Sequence, residues 1–587
     1  MAQQVGQLLL SPEQFCIPRY QRDFKWDDEN ATELIEDLGS EPLSGDDGLF
    51  LGAVILEKSE EGKLAIVDGQ QRITTLVLLL IASRERAKKL GDANRCDAIQ
   101  KKIGFTDEIT GATSGPRLLG SQSIREVFSY MSEKEWKGDF PAKIGNKGTR
   151  LQARRVRPVY NLFAGKVGGM SAAELDKFVT AIYRAYVFRI EIQSDIQALG
   201  IFERTNARGA DLEVSDLLKN YLFSVIEDPD EIEYAWEQIT KNASGLLLKM
   251  LKYFYVSKKG HVVKSELYKK LRGYAKETSP RAFTDQLLAF SHYFRLVQSQ
   301  DFDALKGYFT SLGCERIAGH DDRTKPIYSA IEALREFGIT QHIPLTFAAL
   351  DCFLKNKGQE ESSGNAIKSL VRLFTALERY HFINNAIVER VGNEVEKLYA
   401  DTCEEFSQST DFGETSKKLV TELLKKKATE SEFVANFPKK VNYQSSASLV
   451  AYVFDRINNA EAPIGAGIQL YDPDERVFRR THSIEHWLPR KPRSGESYDQ
   501  KTGESVDEVG NLLVIPQKTN GLLDNHSPAV KREMLEGELN THIKHLKHVE
   551  DFLATYGPVA GHWNTEEIAK RSQELAVLSY KKIWALP

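Results

Sequence analysis

The run TTLVLLLIAS at 74–83 is the longest apolar stretch of the chain, and it follows almost at once on a strand-like run and a glycine, IVDG at 66–69. It is about half of what a bilayer-spanning helix needs, so it has to be enclosed in a protein core. The N-terminus MAQQVGQLLL lacks the basic n-region of a secretory signal. Both points place the chain in the cytosol with no membrane partner. At 587 residues it exceeds what one hydrophobic core organises, which predicts about three domains, or one domain and a large helical insert. An apolar share of 41% with 27% charged residues is the balance of a folded soluble protein, so disorder should be local. Cys16, Cys96, Cys314, Cys352 and Cys403 are scattered without a CxxC pair, which excludes a zinc knuckle or disulfide framework and leaves reduced, mostly buried thiols. A net charge of −5 gives no general pull on polyanions. Any nucleic-acid contact must come from local basic patches.

Short strand-like runs (FLGAVILEK at 50–58, KLAIVDG at 63–69, YVFRIEIQ at 186–193) alternate with helical stretches up to about residue 225, an α+β pattern. From 226 to 430 the strand signal fades into helical spacing, as in AIKSLVRLFTALERYHFINNAI at 366–387. The Lys-rich piece LLKKKATESEFVANFPKK at 423–440 breaks that pattern and reads as a connector. Beyond it ASLVAYVFDRINNA at 447–460 reads as a helix leading into a final α/β module. No repeat of fixed period is present.

In the last module, HSIEHWLPR at 482–490 is followed by a polar loop, the apolar strand GNLLVIP at 510–516, and QKTNGLLDN at 517–525, a turn or helix start. A histidine on a strand, an asparagine before the next strand and another on a helix start are the residue types of a metal-finger nuclease, in which an imidazole deprotonates water and oxygen ligands hold Mg²⁺. The bland alternative has His486 capping an apolar edge and the asparagines making turns. Three linked pieces in the right order weigh against it. His482 reads as an exposed strand residue. Arg476, Arg479, Arg480, Arg490, Lys491 and Arg493, set against Glu475 and Glu485, form a basic cluster suited to backbone phosphates.

The other constellation is IVDGQQRITTL at 66–76, a strand, a Gly69 turn and a helix start with Arg72. Free N–H groups at a helix start make an anion site, to which Arg72 can add a bidentate contact. The structural alternative is Gly69 serving the turn and Arg72 paired with Asp68. With no GxxxxGK[ST], P-loop chemistry is excluded. The stretch at 249–276, basic and interleaved with Tyr253, Phe254, Tyr255, Tyr268 and Tyr274, suits a nucleic-acid backbone or, more ordinarily, a solvated helix face over a core.

The succession IEHWLP, GNLLVIP and KTN…DN resembles the HNH nuclease half of the GmrSD-type restriction family and, more distantly, the HNH domain of RNA-guided endonucleases. The segment from Trp563 through Ile568, Arg571 and Leu575 to Trp584 is similar to that half's closing helix. IPRYQRDFKW at 17–26, DGQQRITTL at 68–76 and IFERTNARGADLEVSDLLKNYLF at 201–223 resemble the family's ParB-like nucleotide-handling half. The resemblance implies an α+β, predominantly helical fold: a ParB-like α+β domain over 1–225, a helical middle region over 226–430 and a ββα-metal (HNH) nuclease domain over 431–587. It implies His486 as general base, Asn511 as the residue that pins the loop, Asn520 as a metal ligand on the helix, Glu485 as a further ligand and Asn525 as an alternate. Adjacent strand residues face opposite ways, so Glu485 and His486 could share one centre only at a twisted strand end. Asp68, Gly69, Gln70, Gln71 and Arg72 become the nucleotide candidates, with Arg19, Tyr20, Gln21 and Arg22 lining the same pocket and Asn206, Arg208 and Gly209 approaching from a loop. Arg479, Arg480, Arg490 and Lys491 would hold DNA.

The implied activity is type IV restriction: nucleotide-regulated cleavage of foreign double-stranded DNA bearing modified cytosine, with Mg²⁺ or Mn²⁺ and a nucleoside triphosphate as cofactors, and with NTPase activity. Part of the family is associated with BREX phage-defence systems. Cutting two strands with one centre favours a homodimer. Two other readings stay open, a phosphorothioate-sensing defence nuclease and a nucleotide-binding regulatory protein with a degenerate nuclease fold.

Overall fold

The computed structural model describes residues 1–18, 24, 26, 28–40, 48–58, 63–106, 113–120, 122–134, 136, 144–145, 147–192, 214–226, 228–299, 301–355, 363–391, 393–462, 470, 481–491, 498 and 500–587. They form two compact units, Met1–Glu237 with Leu271–Thr284 and Gln238–Lys270 with Asp285–Pro587. The class is α+β and predominantly helical, as the sequence implies. No helix among the described residues is long and apolar enough to cross a membrane.

The first unit is built on a six-stranded mixed sheet. Its strands are β1 (Ala2–Gln4), β2 (Phe15–Cys16), β3 (Phe50–Lys58) and β4 (Leu64–Asp68), then, past a small hairpin of β5 (Gly104–Thr106) and β6 (Thr113–Pro116), β7 (Leu118–Leu119) and β8 (Tyr186–Ile192). The spatial order is β1-β8-β3-β4-β2-β7. β4 lies between β3 and β2, and its LAIV run is buried throughout, the continuous apolar pattern of a strand covered on both faces. Helix α1 (Gln70–Lys89) follows directly. From Leu76 to Ala82 no residue is more than 1% exposed, so TTLVLLLIAS is indeed enclosed on every side. Where polarity returns, the buried Arg84 guanidinium is matched by Glu85 (2.8 Å), Gln100 Oε1 (2.7 Å) and the Met131 carbonyl (3.0 Å). That is the pairing a buried cation requires.

The second unit is a helical assembly carrying one two-stranded hairpin. A hydrophobic cluster runs from Ala333 and Phe382 through Phe433 and Tyr452 to Trp487, Leu513 and Trp584, so Ala333, Phe382, Ile383, Ile387 and Ala428 pack into the core of the segment at 431–587. Glu378 on α2 (Ser363–His381) accepts hydrogen bonds from Tyr452 Oη (2.7 Å) and Arg456 Nε (2.8 Å), and Trp584 Nε1 donates to Tyr452 Oη (3.1 Å). The expected connector at 423–440 is instead largely helical. Asn384 holds the brief break, donating to the Lys426 carbonyl (3.0 Å) and accepting from Ala428 N–H (2.8 Å). Thr429 and Glu432 then form a capping box that starts α3 (Glu430–Lys440), whose Phe433 and Phe437 are buried. Of the lysines that suggested a linker, Lys425, Lys426 and Lys439 are exposed on helix ends, and Lys427 lies over the Tyr580 ring (4.2 Å).

Three buried histidines make this unit acid-sensitive. Burial holds His342 and His548 at about 3 and His381 at about 4, the last opposed by its hydrogen bond to Asn385. Unfolded, each takes a proton near pH 6.5. The folded chain therefore binds fewer protons between about pH 6.5 and 4, and its stability is full above that window and lost as pH falls through it. Thermal unfolding should show the melting temperature of this unit dropping over that range, with His548→Gln flattening the slope. A flat profile would contradict the assignment.

Candidate functional site

The hairpin pairs β9 (His482–His486) with β10 (Leu512–Pro516) in antiparallel register, His486 opposite Leu512 and Glu485 opposite Leu513. α4 (Ala447–Asn458) precedes it, and α5 (Gln517–Leu523) and α6 (Pro528–Glu536) follow β10. α5 packs against β9, which completes a strand–strand–helix arrangement.

What fixes the hairpin is the pair Gly510–Asn511 just before β10. A Cβ on Gly510 would lie 2.1 Å from the Ile568 carbonyl oxygen of α7 (Thr565–Leu578) and 2.5 Å from Ser572 Oγ, so only glycine permits that approach. Its N–H donates to Ser572 Oγ (3.0 Å), and its carbonyl accepts from Arg571 Nη1 (2.7 Å), which also serves Leu512 O (3.0 Å). Arg571 lies over the Phe552 ring (4.2 Å), and burial lowers its pKa to about 9. Asn511 is fully buried with both ends of its amide in use. Nδ2 donates to Val506 O (2.7 Å) and Leu488 O (2.9 Å), and Oδ1 accepts from Leu488 N–H (2.8 Å) and Trp563 Nε1 (3.1 Å). It ties together the two ends of the long loop between the strands, and touches nothing in a position to react.

His486 and Glu485 fall on opposite faces of β9, as adjacent strand residues must. His486 Nε2 bonds Asp507 Oδ1 (2.9 Å), which Arg490 Nε also approaches (3.2 Å), and the imidazole stands edge-on to Tyr443 (4.7 Å, 78°). Burial lowers the His486 pKa, with Asp507 opposing, so the ring is neutral near pH 7. Glu485 forms a buried ion pair with Lys531 of α6. Burial pushes the carboxyl up and the ammonium down, and each keeps the other charged.

The open edge of β9 explains two further side chains. Trp487 N–H donates to Asn511 O (2.8 Å) and Gln517 N–H to Thr481 O (3.1 Å), so odd-numbered residues turn their backbone groups to β10 and even-numbered ones away. On the outer side Asn520 Nδ2 donates to Ile484 O (3.1 Å) and Lys531 Nζ to His486 O (2.7 Å). Asn520 Oδ1 has no protein partner among the described residues. Asn525 is exposed beyond α5, and His482 is half-buried, bonding Thr481 Oγ1 (3.0 Å).

Among the described residues no cluster of three or more His, Cys, Asp or Glu could hold a metal. The Glu485 carboxylate is taken up by the Lys531 ammonium, with the negative charge of Asp524 nearby; its oxygens and Asn520 Oδ1 are the ones a hard cation would use. Sparse oxygen donors suit Mg²⁺, which keeps several waters.

In the first unit, Gly69 adopts φ +88° between β4 and α1, and a Cβ there would meet Val54 Cγ2 at 3.1 Å and Ala53 O at 3.2 Å. Asp68 Oδ1 accepts its N–H (2.8 Å). Arg72 lies against the bulged Gly52, φ +92°, and donates to Ala53 O (3.3 Å). Burial lowers its pKa, and Asp68 opposes this. Gln70 and Gln71 are buried in the first turn of α1. Arg19, Tyr20, Gln21, Arg22, Asn206, Arg208, Gly209, Arg476, Arg479, Arg480 and Arg493 lie outside the described residues, whereas Arg490 and Lys491 are exposed just past β9. In the basic stretch at 249–276, Phe254 is buried, Lys258 pairs with Asp351, Lys252 reaches Glu396 (3.5 Å) and Tyr253 bonds Thr340 (2.8 Å), the contacts of helix faces on a core.

Sequence reasoning missed Asp507 and Lys531. Asp507 sits in a polar loop with no pattern to mark it. Lys531 carried a readable signal, since it follows Pro528 by three positions and precedes Leu535 by four, on the buried stripe of α6.

The chain thus combines a strand–strand–helix element in one unit with a strand–glycine–helix turn in the other, and the comparison with known families gives the class of enzyme it belongs to. The family model described as GmrSD restriction endonuclease, N-terminal domain, matches residues 5–223, and that described as GmrSD restriction endonucleases, C-terminal domain, matches residues 427–578. Together they take in well over half of the chain, which therefore belongs to the GmrSD restriction endonuclease family and is a DNA endonuclease of the type IV restriction class. No curated protein matches it.

Gly510→Ala should destabilise the second unit by roughly 3 kcal/mol, the upper end for overpacking, because the blocking atom is backbone. Thermal unfolding would read this, and an unshifted transition would contradict the close approach.

Proposed function

We propose that the chain cuts foreign double-stranded DNA bearing modified cytosine, by HNH-type hydrolysis with Mg²⁺ or Mn²⁺, under control of a nucleoside triphosphate bound and hydrolysed by a ParB-like first unit. The observation that carries this reading is His486 at the end of β9, neutral through burial and set in a hairpin that Asn511 holds shut. A neutral imidazole can take the proton of the attacking water. Asn520 and Glu485 would hold the divalent ion, which requires the end of β9 to twist so that Glu485 turns to the His486 side. When bound, that ion supplies stabilisation of the charge developing on the scissile phosphate. Arg490 and Lys491, exposed just past His486, grip flanking phosphates. Binding the ion at Glu485 requires Lys531 to give up its contact, which ties metal loading to a rearrangement of the α6 side chain.

For the nucleotide, support comes from the start of α1. Its first-turn N–H groups, the tight Gly69 turn and the Arg72 guanidinium provide donors for phosphate oxygens. Asp68 fixes the turn through the Gly69 N–H. Two copies would meet to cut both strands.

Cleavage of plasmids with and without modified cytosine, each with Mg²⁺, Mn²⁺ or chelator and with or without nucleotide, tests the reading. We expect cutting of modified DNA only, lost with chelator and dependent on nucleotide. His486→Ala should lower the rate by about 10²–10⁴-fold, the scale of a lost general base, with folding and DNA binding intact. Arg72→Ala should abolish the nucleotide effect. Undiminished cutting by the His486 variant in a clean preparation would overturn the assignment.

A further inference from the structure

We propose that Asp507 is the positioning residue of the cleavage site: it fixes the His486 imidazole with its proton on Nε2, so that Nδ1 is the atom that accepts the proton from water. This rests on the reading of His486 as the base and adds which of its atoms acts and why.

The argument starts from hydrogen-bonding capacity. An ionised carboxylate only accepts, so an imidazole nitrogen bonded to it must carry a hydrogen. His486 Nε2 lies 2.9 Å from Asp507 Oδ1. With Nε2 protonated, a neutral ring has its lone pair on Nδ1. Asp507 is only 6% exposed, so this is not a solvent-screened surface pair. Its charge is shared with Arg490, whose Nε is 3.2 Å from the same oxygen and whose guanidinium lies over the Tyr443 ring at 5.5 Å.

The carboxylate also sits on an immobilised backbone. Asp507 O accepts from Tyr443 N–H (2.9 Å), the neighbouring Val506 O accepts from Asn511 Nδ2 (2.7 Å), and Glu508 bridges to Asn442. Tyr443 thus touches both members of the pair: its N–H holds Asp507, and its ring stands edge-on to the imidazole at 4.7 Å. The ring plane and the proton position are set by different contacts, which is what distinguishes an orienting group from a chance ion pair. Once Nδ1 has taken the proton, the Asp507 charge stabilises the resulting imidazolium, as a carboxylate behind a catalytic histidine does.

The test uses the full chain with histidine side chains labelled with ¹⁵N, the His486 signals being assigned by their loss in His486→Ala. Above the titration range of the ring, the wild-type protein should show a protonated Nε2 and a bare Nδ1. Asp507→Asn keeps the shape but can present an NH₂ group to Nε2; it should shift the population toward the other tautomer. It should also lower kcat by about 10–100-fold, the scale for an outer-shell partner of a histidine, with KM and affinity for DNA in chelator within about threefold. Asp507→Glu should recover part of the loss. A bare Nε2 in the wild-type protein, or an Asp507→Asn kcat within twofold of wild type, would overturn the proposal, and the wild-type tautomer decides even if the variants fail to fold. If His486→Ala still cleaves, the base assignment itself falls. If that variant is inactive while Asp507→Asn is fully active, only the role of Asp507 falls.

Discussion

The second unit depends on one buried amide. Asn511 satisfies four backbone and side-chain groups, two carbonyls and two N–H donors, drawn from half-buried Leu488 and from Val506 and Trp563, whose bonds to it are buried. Each would cost about 1–3 kcal/mol if left without a partner. Loops between paired strands are ordinarily free to vary, yet here the loop is closed at both ends from inside, at Leu488 and at Val506. That closure brings Asp507 back against His486, 21 positions earlier in sequence. Gly510 and Arg571 extend the same constraint to α7, so strand, loop and closing helix form one piece.

The first unit solves a related problem with backbone conformation instead of a side-chain amide. Two glycines, Gly52 and Gly69, take positive-φ conformations that side chains rarely adopt, and a Cβ at either would crowd its neighbours at 3.1–3.3 Å. Arg72 takes the space beside Gly52, a half-buried cation whose position is set by Ala53 O and by the charge of Asp68. Behind it the Leu76–Ala82 stretch of α1 is buried on every side. That stretch gives the turn a rigid base, and rigid placement is what the proposed use of its backbone N–H groups as phosphate donors requires.

Much of this was legible in the sequence, for physical reasons that can be named. The apolar run after IVDG could only be a buried helix. GNLLVIP could only be a covered strand, and the order of IEHWLP, GNLLVIP and KTN announced the hairpin and its helix. The opposition of Glu485 and His486 followed from strand geometry alone. What stayed hidden were long-range partners. Asp507 and Lys531 meet β9 from 21 and 46 positions away, and neither a polar loop nor a helix tells in advance which strand it will face. The stretch at 423–440 misled because Lys425, Lys426 and Lys439 mark exposed helix ends, while Thr429 and Glu432 signal a fresh helix start. In the basic-aromatic stretch at 249–276, Lys252 and Lys258 are taken up by ion pairs and Phe254, Tyr255 and Tyr274 by the core.

The most direct measurement of the central claim is hydrogen exchange by mass spectrometry on Asn511→Ala beside the wild-type chain, with cleavage assayed in parallel. If Asn511 holds the site together, exchange should rise sharply across residues 486–490 and 505–512, stay unchanged around α1, and be accompanied by a loss of cleavage. Wild-type protection of those segments together with wild-type cleavage would show that the loop closes without this amide, and the account of how the site is built would be wrong.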